Sequence, residues 1–385
     1  MNKEYFAKIL EPLNSSRRLK RISFLYRNPL DFVRRVYLHL EQTIFKHTRV
    51  FVLPTRAKLN TGYTCNLRCP LCPTGIYAPS PSGRLTAAMA QKLLPRLKGV
   101  RTISLFGWAE PFLNPEIFEI IDHLKKHKKT VAIDSNLSIK NTEIIDKLAQ
   151  TPIDMLSVSM DGADEESYSK YRVAGSFELV VQNIRKLKAS LHGPLRIQWQ
   201  YLISRKNQHL VEKAKEIGKG LDVEMSFMDI GMYNDMFYES TDDLKREWWT
   251  DEQLAQHEKP QAKTSESCMY MYNDPFIDVN GDVYPCCHAP YAPQAAVDAG
   301  FEKIFGNLNK DSLKEIWNNE HYQAARALFK DSGSANNSRV KTICLRCRIY
   351  LERSPGLAKA TLPVFNGSLQ QAPISVSPQA PGGKP

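Results

Sequence analysis

The stretch CNLRCPLC, residues 65–72, holds three cysteines, with three residues between the first pair and two between the second. A structural zinc site closes with four protein ligands. Three thiolates in one short loop suit an iron–sulfur cluster instead, in which the protein binds three irons and leaves the fourth open. The alternative is a zinc site that a distant cysteine completes. The spacing therefore favours a centre with an open position for a further ligand.

The loop belongs to a strand–helix alternation that runs from residue 57 to about residue 230. The segments predicted as strands are 57–63, 101–106, 130–135, 154–160, 195–203 and 223–229. Helical patterns cover 86–98, 115–128, 142–150, 176–190 and 208–219, with Thr86 and Ser176 as expected N-caps. Six such steps predict an α/β fold with a parallel sheet curled into a full or partial barrel. Ligands of such barrels sit at the carboxyl ends of the strands, where the three-cysteine loop falls.

Cys65, Cys69 and Cys72, with the barrel pattern behind them, resemble the radical S-adenosylmethionine (SAM) superfamily, which is marked by three cysteines at this spacing. The resemblance implies a partial (β/α)6 TIM-like barrel in which the three thiolates hold a 4Fe–4S cluster. Its open iron would chelate the amino and carboxylate groups of SAM. One electron would then cleave SAM to methionine and a 5′-deoxyadenosyl radical, which abstracts hydrogen from a substrate. Leu71 departs from the aromatic residue that the family often has before the last cysteine.

Two later segments resemble the family's SAM-binding strand ends. In FGWAEPFLNP, residues 106–115, Gly107 and Glu110 match a GGE-type segment that contacts the SAM amino group, although Ala109 replaces a common glycine. In DSNLS, residues 134–138, Asn136 is a candidate polar contact or, alternatively, a buried and satisfied amide.

The segment 157–172 resembles the fourth-strand region of the SPASM branch of the family. By that likeness Ser159 would bond the SAM ribose or carboxylate, and Arg172 would pair with the carboxylate through its planar fork. The alternative for Arg172 is a surface position on a helix.

A second set of cysteines follows in the last third of the chain: Cys268, Cys286, Cys344 and Cys347. The segment around Gly281 predicts a hairpin with an Asn-Gly turn, which delivers Cys286 at a strand end. Four thiolates make a closed site, and a zinc ribbon is one interpretation. Beside a radical SAM core the set resembles a C-terminal SPASM or shortened Twitch domain, which implies one auxiliary 4Fe–4S cluster.

Cys287 is left over from both sets and is either a buried neighbour, a replacement ligand for Cys286, or a hydrogen donor to a substrate radical. The main expectation for function is oxidation of a sugar, aminocyclitol or peptide substrate, with the auxiliary cluster as electron acceptor and a flavodoxin or ferredoxin as reductant. A redox-neutral epimerase that uses Cys287 is the first alternative. A non-catalytic, zinc-binding protein that associates with RNA or membrane is the second.

Charge separates the start of the chain from the rest. The formal net charge is +11, and residues 1–60 contribute +9 of it from thirteen Lys and Arg and four acids. A helix is predicted over 28–46, with Asn28 as N-cap and with Val33, Val36, Tyr37, Leu40 and Ile44 at helical spacing. We expect this helix to pack on the barrel with a solvated basic face. The alternative is an arm that contacts a membrane surface or a phosphate, and nucleic acid is a less favoured partner.

Composition and organisation complete the expectations. The sequence has no apolar run long enough to span a membrane and no secretory signal, which predicts a cytoplasmic protein, with a peripheral position at the inner membrane surface as the alternative. Four regions are predicted: a basic helical extension 1–56, a radical SAM core with connector 57–262, a SPASM/Twitch-type domain 263–353, and a disordered tail 354–385. Eight cysteines in a reducing compartment indicate metal ligands or reactive thiols rather than disulfides.

Overall fold

Nine strands form one continuous sheet in the computed structural model, which describes residues 29–72, 74, 83–230, 242–258, 268–292, 294–330, 339–347 and 350. The strands are β1 Arg56–Leu59, β2 Thr102–Leu105, β3 Thr130–Ser135, β4 Met155–Ser159, β5 Arg196–Ile203, β6 Glu224–Asp229, β7 Phe276–Ile277, β8 Asp282–Tyr284 and β9 Gly306–Asn307. Their order is β6-β5-β4-β3-β2-β1-β7-β8-β9, and β1 to β6 run parallel. Because β6 and β9 do not pair, the sheet stays open. The predicted partial α/β barrel is thereby confirmed.

The helices cover the sheet in the expected alternation. They are α1 Pro29–Leu40, α2 Ala87–Leu93, α3 Ile117–Lys126, α4 Thr142–Gln150, α5 Glu165–Tyr171, α6 Phe177–Ala189, α7 Val211–Gly220, α8 Asp242–Trp248, α9 Asp251–Glu258, α10 Tyr270–Asn273, α11 Gln294–Asp298, α12 Leu313–Trp317 and α13 Glu320–Ala327. The Thr86 and Ser176 side chains accept hydrogen bonds from the N–H groups of Met89 and Leu179, which confirms both N-caps.

Three details of the secondary structure differ from the prediction. Helix α5 was not predicted. It begins with a capping box, in which the side chains of Asp164 and Ser167 each accept a hydrogen bond from the backbone N–H of the other residue. The connector 231–262, predicted to be irregular, contains α8 and α9 among its described residues. The first strand ends at Leu59 rather than at residue 63, and the Asn60 side chain bonds Asp278 directly after it. The tail 354–385 and Asn28 lie outside the described residues.

Strand alternation separates a packed face from a polar face. On β3, Val131 and Ile133 are fully buried in the main hydrophobic core, whereas Asp134, the residue after Ile133, lines a cavity at the carboxyl end of the strands. On β5, Trp199 and Tyr201 belong to the core and Gln200 faces the same cavity. The parallel strands therefore present a row of polar side chains to one shared space.

The C-terminal cysteine region continues the sheet of the barrel. β7 pairs in parallel with β1, and the N–H groups of Lys58 and Asn60 donate to the carbonyls of Pro275 and Ile277. The predicted hairpin is present as antiparallel β7 and β8, and Gly281 supplies the positive φ of 85° in its turn. Asp278 ties this hairpin to the first strand. Its carboxylate accepts hydrogen bonds from Asn60 at 2.8 Å and from Tyr63 at 2.6 Å.

Helix α1 packs in the opposite sense to the one predicted. It continues into a π-helical turn, Glu41–Phe45, and its buried side is formed by Leu38 and Glu41. Of the five apolar positions expected to face the barrel, Val33 at 61%, Val36 at 42% and Ile44 at 49% are exposed, whereas Tyr37 and Leu40 are half-buried. In the described part of the chain, every helix is too short or too polar to span a bilayer.

Candidate active site

A cavity of about 170 Å³ lies where the strands β1 to β5 end. Among its lining residues are all of the residues predicted for the first cluster and for SAM, together with Cys287: Cys65, Cys69, Cys72, Gly107, Glu110, Asn136, Ser159, Arg172 and Cys287. The other four cysteines do not line it. The fold therefore brings together residues that are more than a hundred positions apart in the sequence.

The three thiols of the 65–72 loop are held close to one another and to a guanidinium. Burial, before any neighbour, raises the pKa of Cys65 to about 11 and that of Cys69 to about 12, while Arg172 opposes both shifts. Arg172 Nη1 lies 3.8 Å from the Cys69 sulfur, and Asn136 Nδ2 lies 3.7 Å from the Cys65 sulfur. These donors would favour thiolates, which are the form that binds iron.

The donor set fits a cluster better than a single ion. No three Cys, His, Asp or Glu side chains among the described residues are close enough together to hold one metal ion. In an iron–sulfur cluster each thiolate binds a different iron, so its sulfurs need not share one ion. The cavity beside the three thiols leaves room for a further ligand.

Glu110 and Gly107 lie at the end of β2. The Glu110 carboxylate is buried and accepts hydrogen bonds from Ser135 Oγ and the Asn136 N–H, both at 2.7 Å. Burial raises the pKa of Glu110 to about 7 in spite of these hydrogen bonds. At Gly107 a Cβ would stand 2.0 Å from Asn60 Oδ1, so only glycine fits there without displacing Asn60.

Arg172 and Asn136 are engaged with the protein as well as facing the cavity. Arg172 Nε and Nη2 both lie 2.6 Å from Asp161 Oδ2, which leaves Nη1 toward Cys69. The Asn136 amide donates to Asn66 Oδ1 at 2.9 Å and so supports the cysteine loop, as the buried-amide alternative expected.

The four cysteines of the second set converge at a different place. Burial, and then the thiols of Cys287, Cys347, Cys268 and Cys344, raises the pKa of Cys286. Cys347 and Cys268 are also the charged neighbours that raise the pKa of Cys344, after burial. These mutual effects on the pKa values place the four thiols in one neighbourhood, as ligands to different irons of one cluster would be.

Cys287 differs from those four cysteines because it lines the cavity. Lys58 Nζ lies 3.5 Å from its sulfur and 3.6 Å from Asp274 Oδ2. Burial alone would raise the pKa of Cys287, but Lys58 and His288 outweigh it and lower the pKa to about 6. Trp108 Nε1 donates to the Cys287 carbonyl at 2.9 Å, which fixes the backbone at this residue.

Several cavity residues were not predicted as site residues. Asp134, Trp108 and His288 line the cavity, and Lys58 contacts the Cys287 sulfur. Strand alternation offered a signal for Asp134, since it falls on the polar face. Nothing in the sequence pattern indicated that Trp108 and His288 would line the cavity, because the contact between their rings joins segments about 180 residues apart.

Comparison with known proteins decides the family. A family model for the radical SAM superfamily matches residues 59–195, and a model for an iron–sulfur cluster-binding SPASM domain matches residues 268–348. The chain belongs to the radical SAM superfamily and carries a SPASM domain. Its cofactors are accordingly a 4Fe–4S cluster with SAM, and auxiliary iron–sulfur chemistry in the SPASM domain.

One curated relative of this radical SAM protein spans most of its length, and another matches about a third of it. An AdoMet-dependent heme synthase from Methanosarcina barkeri is 24% identical, over 76% of this chain and 92% of that protein. The mycofactocin maturase MftC from Mycobacterium ulcerans is 29% identical, over 33% of this chain and 35% of that protein. SuiB from Streptococcus suis, bound to S-adenosylmethionine, shares the fold with a TM-score of 0.53 at 15% identity, over 83% of this chain and 79% of SuiB.

Proposed function

We propose that this radical SAM protein is an oxidoreductase that removes two hydrogens from a polar substrate in the cavity. The observation that carries this proposal is the neighbouring pair Cys286 and Cys287. Cys287 lines the cavity, while Cys286 has Cys268, Cys344 and Cys347 as neighbours. One peptide bond thus separates the substrate space from the four-thiolate set.

Two groups of residues would hold the cofactors. Cys65, Cys69 and Cys72 would ligate the first cluster, with Gly107, Glu110, Ser159 and Arg172 around SAM. Cys268, Cys286, Cys344 and Cys347 would ligate one auxiliary cluster. When bound, the first cluster with SAM supplies a 5′-deoxyadenosyl radical that takes a hydrogen atom, and the auxiliary cluster supplies an acceptor for the remaining electron.

The residues of the chain bind the substrate and take the remaining proton. Asp134 is a suitable proton acceptor, because its carboxylate lines the cavity and burial raises its pKa, against the effects of Ser157 and Lys58. Gln200 and Ser159 offer hydrogen bonds to hydroxyl or amide groups on the same side. The substrate class is therefore a sugar, an aminocyclitol or a peptide. SuiB was also solved with a precursor peptide, SuiA, and this likeness adds weight to the peptide.

A second function, redox-neutral epimerisation, is favoured by the Cys287 thiol itself. Its sulfur faces the cavity, and Lys58 and Trp108 hold its surroundings in place. In its protonated form, which a pKa of about 6 makes the minor one at neutral pH, the thiol would return one hydrogen atom to the substrate radical from the face opposite to the one attacked. One electron from the flavodoxin- or ferredoxin-type reductant and one proton from solvent would then convert the thiyl radical back to the thiol.

Product analysis in heavy water separates the two functions. Anaerobic, cluster-reconstituted protein is mixed with SAM, dithionite and candidate sugars, aminocyclitols and peptides, and 5′-deoxyadenosine is measured. Oxidation gives a product two hydrogens lighter, without solvent deuterium on the reacting carbon, and the Cys287→Ala variant retains it. Epimerisation gives an isomer with one deuterium, and Cys287→Ala then cleaves SAM without forming product. Protein that binds iron and sulfide but releases no 5′-deoxyadenosine with any reductant would contradict both.

A further inference from the structure

Helix α1 presents an apolar surface that no step of the proposed reaction uses. We call it the α1 patch, formed by Val33, Val36, Ile44, Phe45 and Phe51. All five side chains are between 42% and 86% exposed. Seven of the eleven large apolar side chains that are exposed in the described residues lie between residues 30 and 51. An apolar surface this concentrated typically marks an interaction site.

Contacts on the other side of the helix fix this orientation. Arg34 Nη2 donates to the carbonyls of Leu53 and Gly99, both at 3.1 Å. Glu41 is fully buried and bonds to Tyr37 and to His47. Turning the apolar stripe inward would expose Leu38 and break these polar contacts. These contacts therefore hold the exposed apolar side chains of the helix on its outer side.

Positive charge surrounds the α1 patch in the sequence. Residues 1–28 hold seven Lys and Arg and two acids, and residues 29–51 hold four Lys and Arg and two acids. Of those last two acids, Glu41 is buried under the helix. Arg49, between Phe45 and Phe51, is exposed. Apolar side chains flanked by basic residues are the pattern of helices that lie in the interface of anionic bilayers.

We propose that the α1 patch docks this protein on the surface of a bilayer that contains anionic lipids. The apolar side chains enter the boundary between headgroups and acyl chains, and basic residues that flank the patch in the sequence, among them the exposed Arg49, attract the lipid phosphates. A second copy of the chain fits the patch less well, because a symmetric contact would bring two segments of charge +9 together.

The position of α1 keeps the reaction accessible after docking. Leu53 and Gly99, which anchor Arg34, precede β1 and β2, so α1 lies at the amino ends of the barrel strands. The cavity lies at the carboxyl ends of the same strands. A membrane under α1 would leave the mouth of the cavity facing away from the lipid.

Vesicle flotation tests the proposal with full-length, cluster-reconstituted protein. The probes are vesicles of phosphatidylcholine alone and vesicles of phosphatidylcholine mixed with phosphatidylglycerol. We expect flotation with the phosphatidylglycerol vesicles only, weakened by high salt. The double variant Val33→Glu/Val36→Glu should bind at least about tenfold more weakly, because it removes buried apolar surface and adds repelled charge. Ile304→Glu, which changes another exposed apolar residue, should bind like the wild type.

Each other outcome overturns the docking proposal. Equal flotation of the double variant and the wild type would mean that the patch does not touch lipid. Binding lost only on deletion of residues 1–28 would assign the contact to that segment. A concentration-dependent dimer in light scattering that Val33→Glu/Val36→Glu abolishes would identify a second copy as the occupant. Flotation needs no turnover, so 5′-deoxyadenosine release, measured in parallel, reports separately on the proposed function.

Discussion

Gly107 shows how closely backbone and side chains pack at the mouth of the cavity. Asn60 occupies the space where a side chain at position 107 would begin, and it is held there by Asp278 and by the Gly62 N–H. Replacing Gly107 by alanine would push Asn60 out of both hydrogen bonds. The family resemblance identified this glycine, and the close approach of Asn60 supplies a physical reason for it that needs no cofactor.

We therefore expect Gly107→Ala to destabilise the protein by about 1–3 kcal/mol, the usual cost of overpacking. The measurement is urea unfolding under anaerobic conditions. Gly220→Ala is the matched control, because a Cβ there meets nothing within 4 Å. It should leave the unfolding midpoint unchanged or slightly raised. Equal midpoints for the wild type and Gly107→Ala would show that Asn60 moves aside without cost.

Glu110 gives the stability of the protein a specific dependence on pH. Burial raises its pKa from 4.5 to about 7. The folded chain then binds this proton more tightly than the unfolded chain, so stability falls as pH rises from about 4.5 to about 7 and is level above that. The shift corresponds to ~3 kcal/mol at most. Urea midpoints at about pH 5 and about pH 7 should differ in the wild type, and the difference should shrink in Glu110→Gln. An unchanged pH dependence in that variant would assign the effect to other groups.

At the scale of elements, sequence pattern located the strands but not every contact between them. β3 was predicted at its observed ends, because TVAIDS alternates cleanly between core and cavity. The spacing also predicted helix α1 correctly. The orientation of the helix was predicted wrongly, because exposed apolar side chains were expected to face the barrel. Spacing reveals an apolar stripe, whereas the side that meets the body depends on carbonyls of Leu53 and Gly99 that are distant in sequence. Helix α5 was missed because its seven residues are mostly polar.

The joint between β1 and β7 depends on one buried carboxylate. Asp278 accepts hydrogen bonds from Tyr63 and Asn60 across that joint. Asp278→Ala would leave a buried hydroxyl and a buried amide without their acceptor, at a cost of about 3 kcal/mol. The expected result is a lower Tm in anaerobic calorimetry, with Asp311→Ala, which changes an exposed acid, as control. A wild-type Tm in Asp278→Ala would mean that solvent replaces the carboxylate.

At the scale of the whole molecule, one continuous sheet connects the regions that carry the two cysteine sets. The sequence predicted two domains, 57–262 and 263–353, and that division remains a prediction. β7, β8 and β9 extend the sheet that begins in the barrel, so the second cysteine set rests on the same framework as the first. The sequence could give the two cysteine spacings, but not that Cys287 faces the cavity while Cys286 faces away from it. That distinction depends on Lys58 and Trp108, which are about 230 and 180 residues away.

Removal of one auxiliary ligand tests whether the two sets have separate tasks. Cys344 is buried beside Cys347 and Cys268 and does not line the cavity. Cys344→Ser should lower iron and sulfide to about half of the wild-type content, because a serine hydroxyl is a poor ligand for iron–sulfur clusters. The three thiols of the 65–72 loop are untouched, so SAM cleavage should continue while oxidised product disappears.

The matched variant Cys72→Ser should have the opposite profile. It should keep the auxiliary half of the iron and lose 5′-deoxyadenosine altogether, since its thiol lines the SAM cavity. Iron content, 5′-deoxyadenosine and product, measured on both variants, separate the two sets completely. If Cys344→Ser still oxidised substrate at the wild-type rate, the electron would leave by another route, and the auxiliary cluster would not be its acceptor.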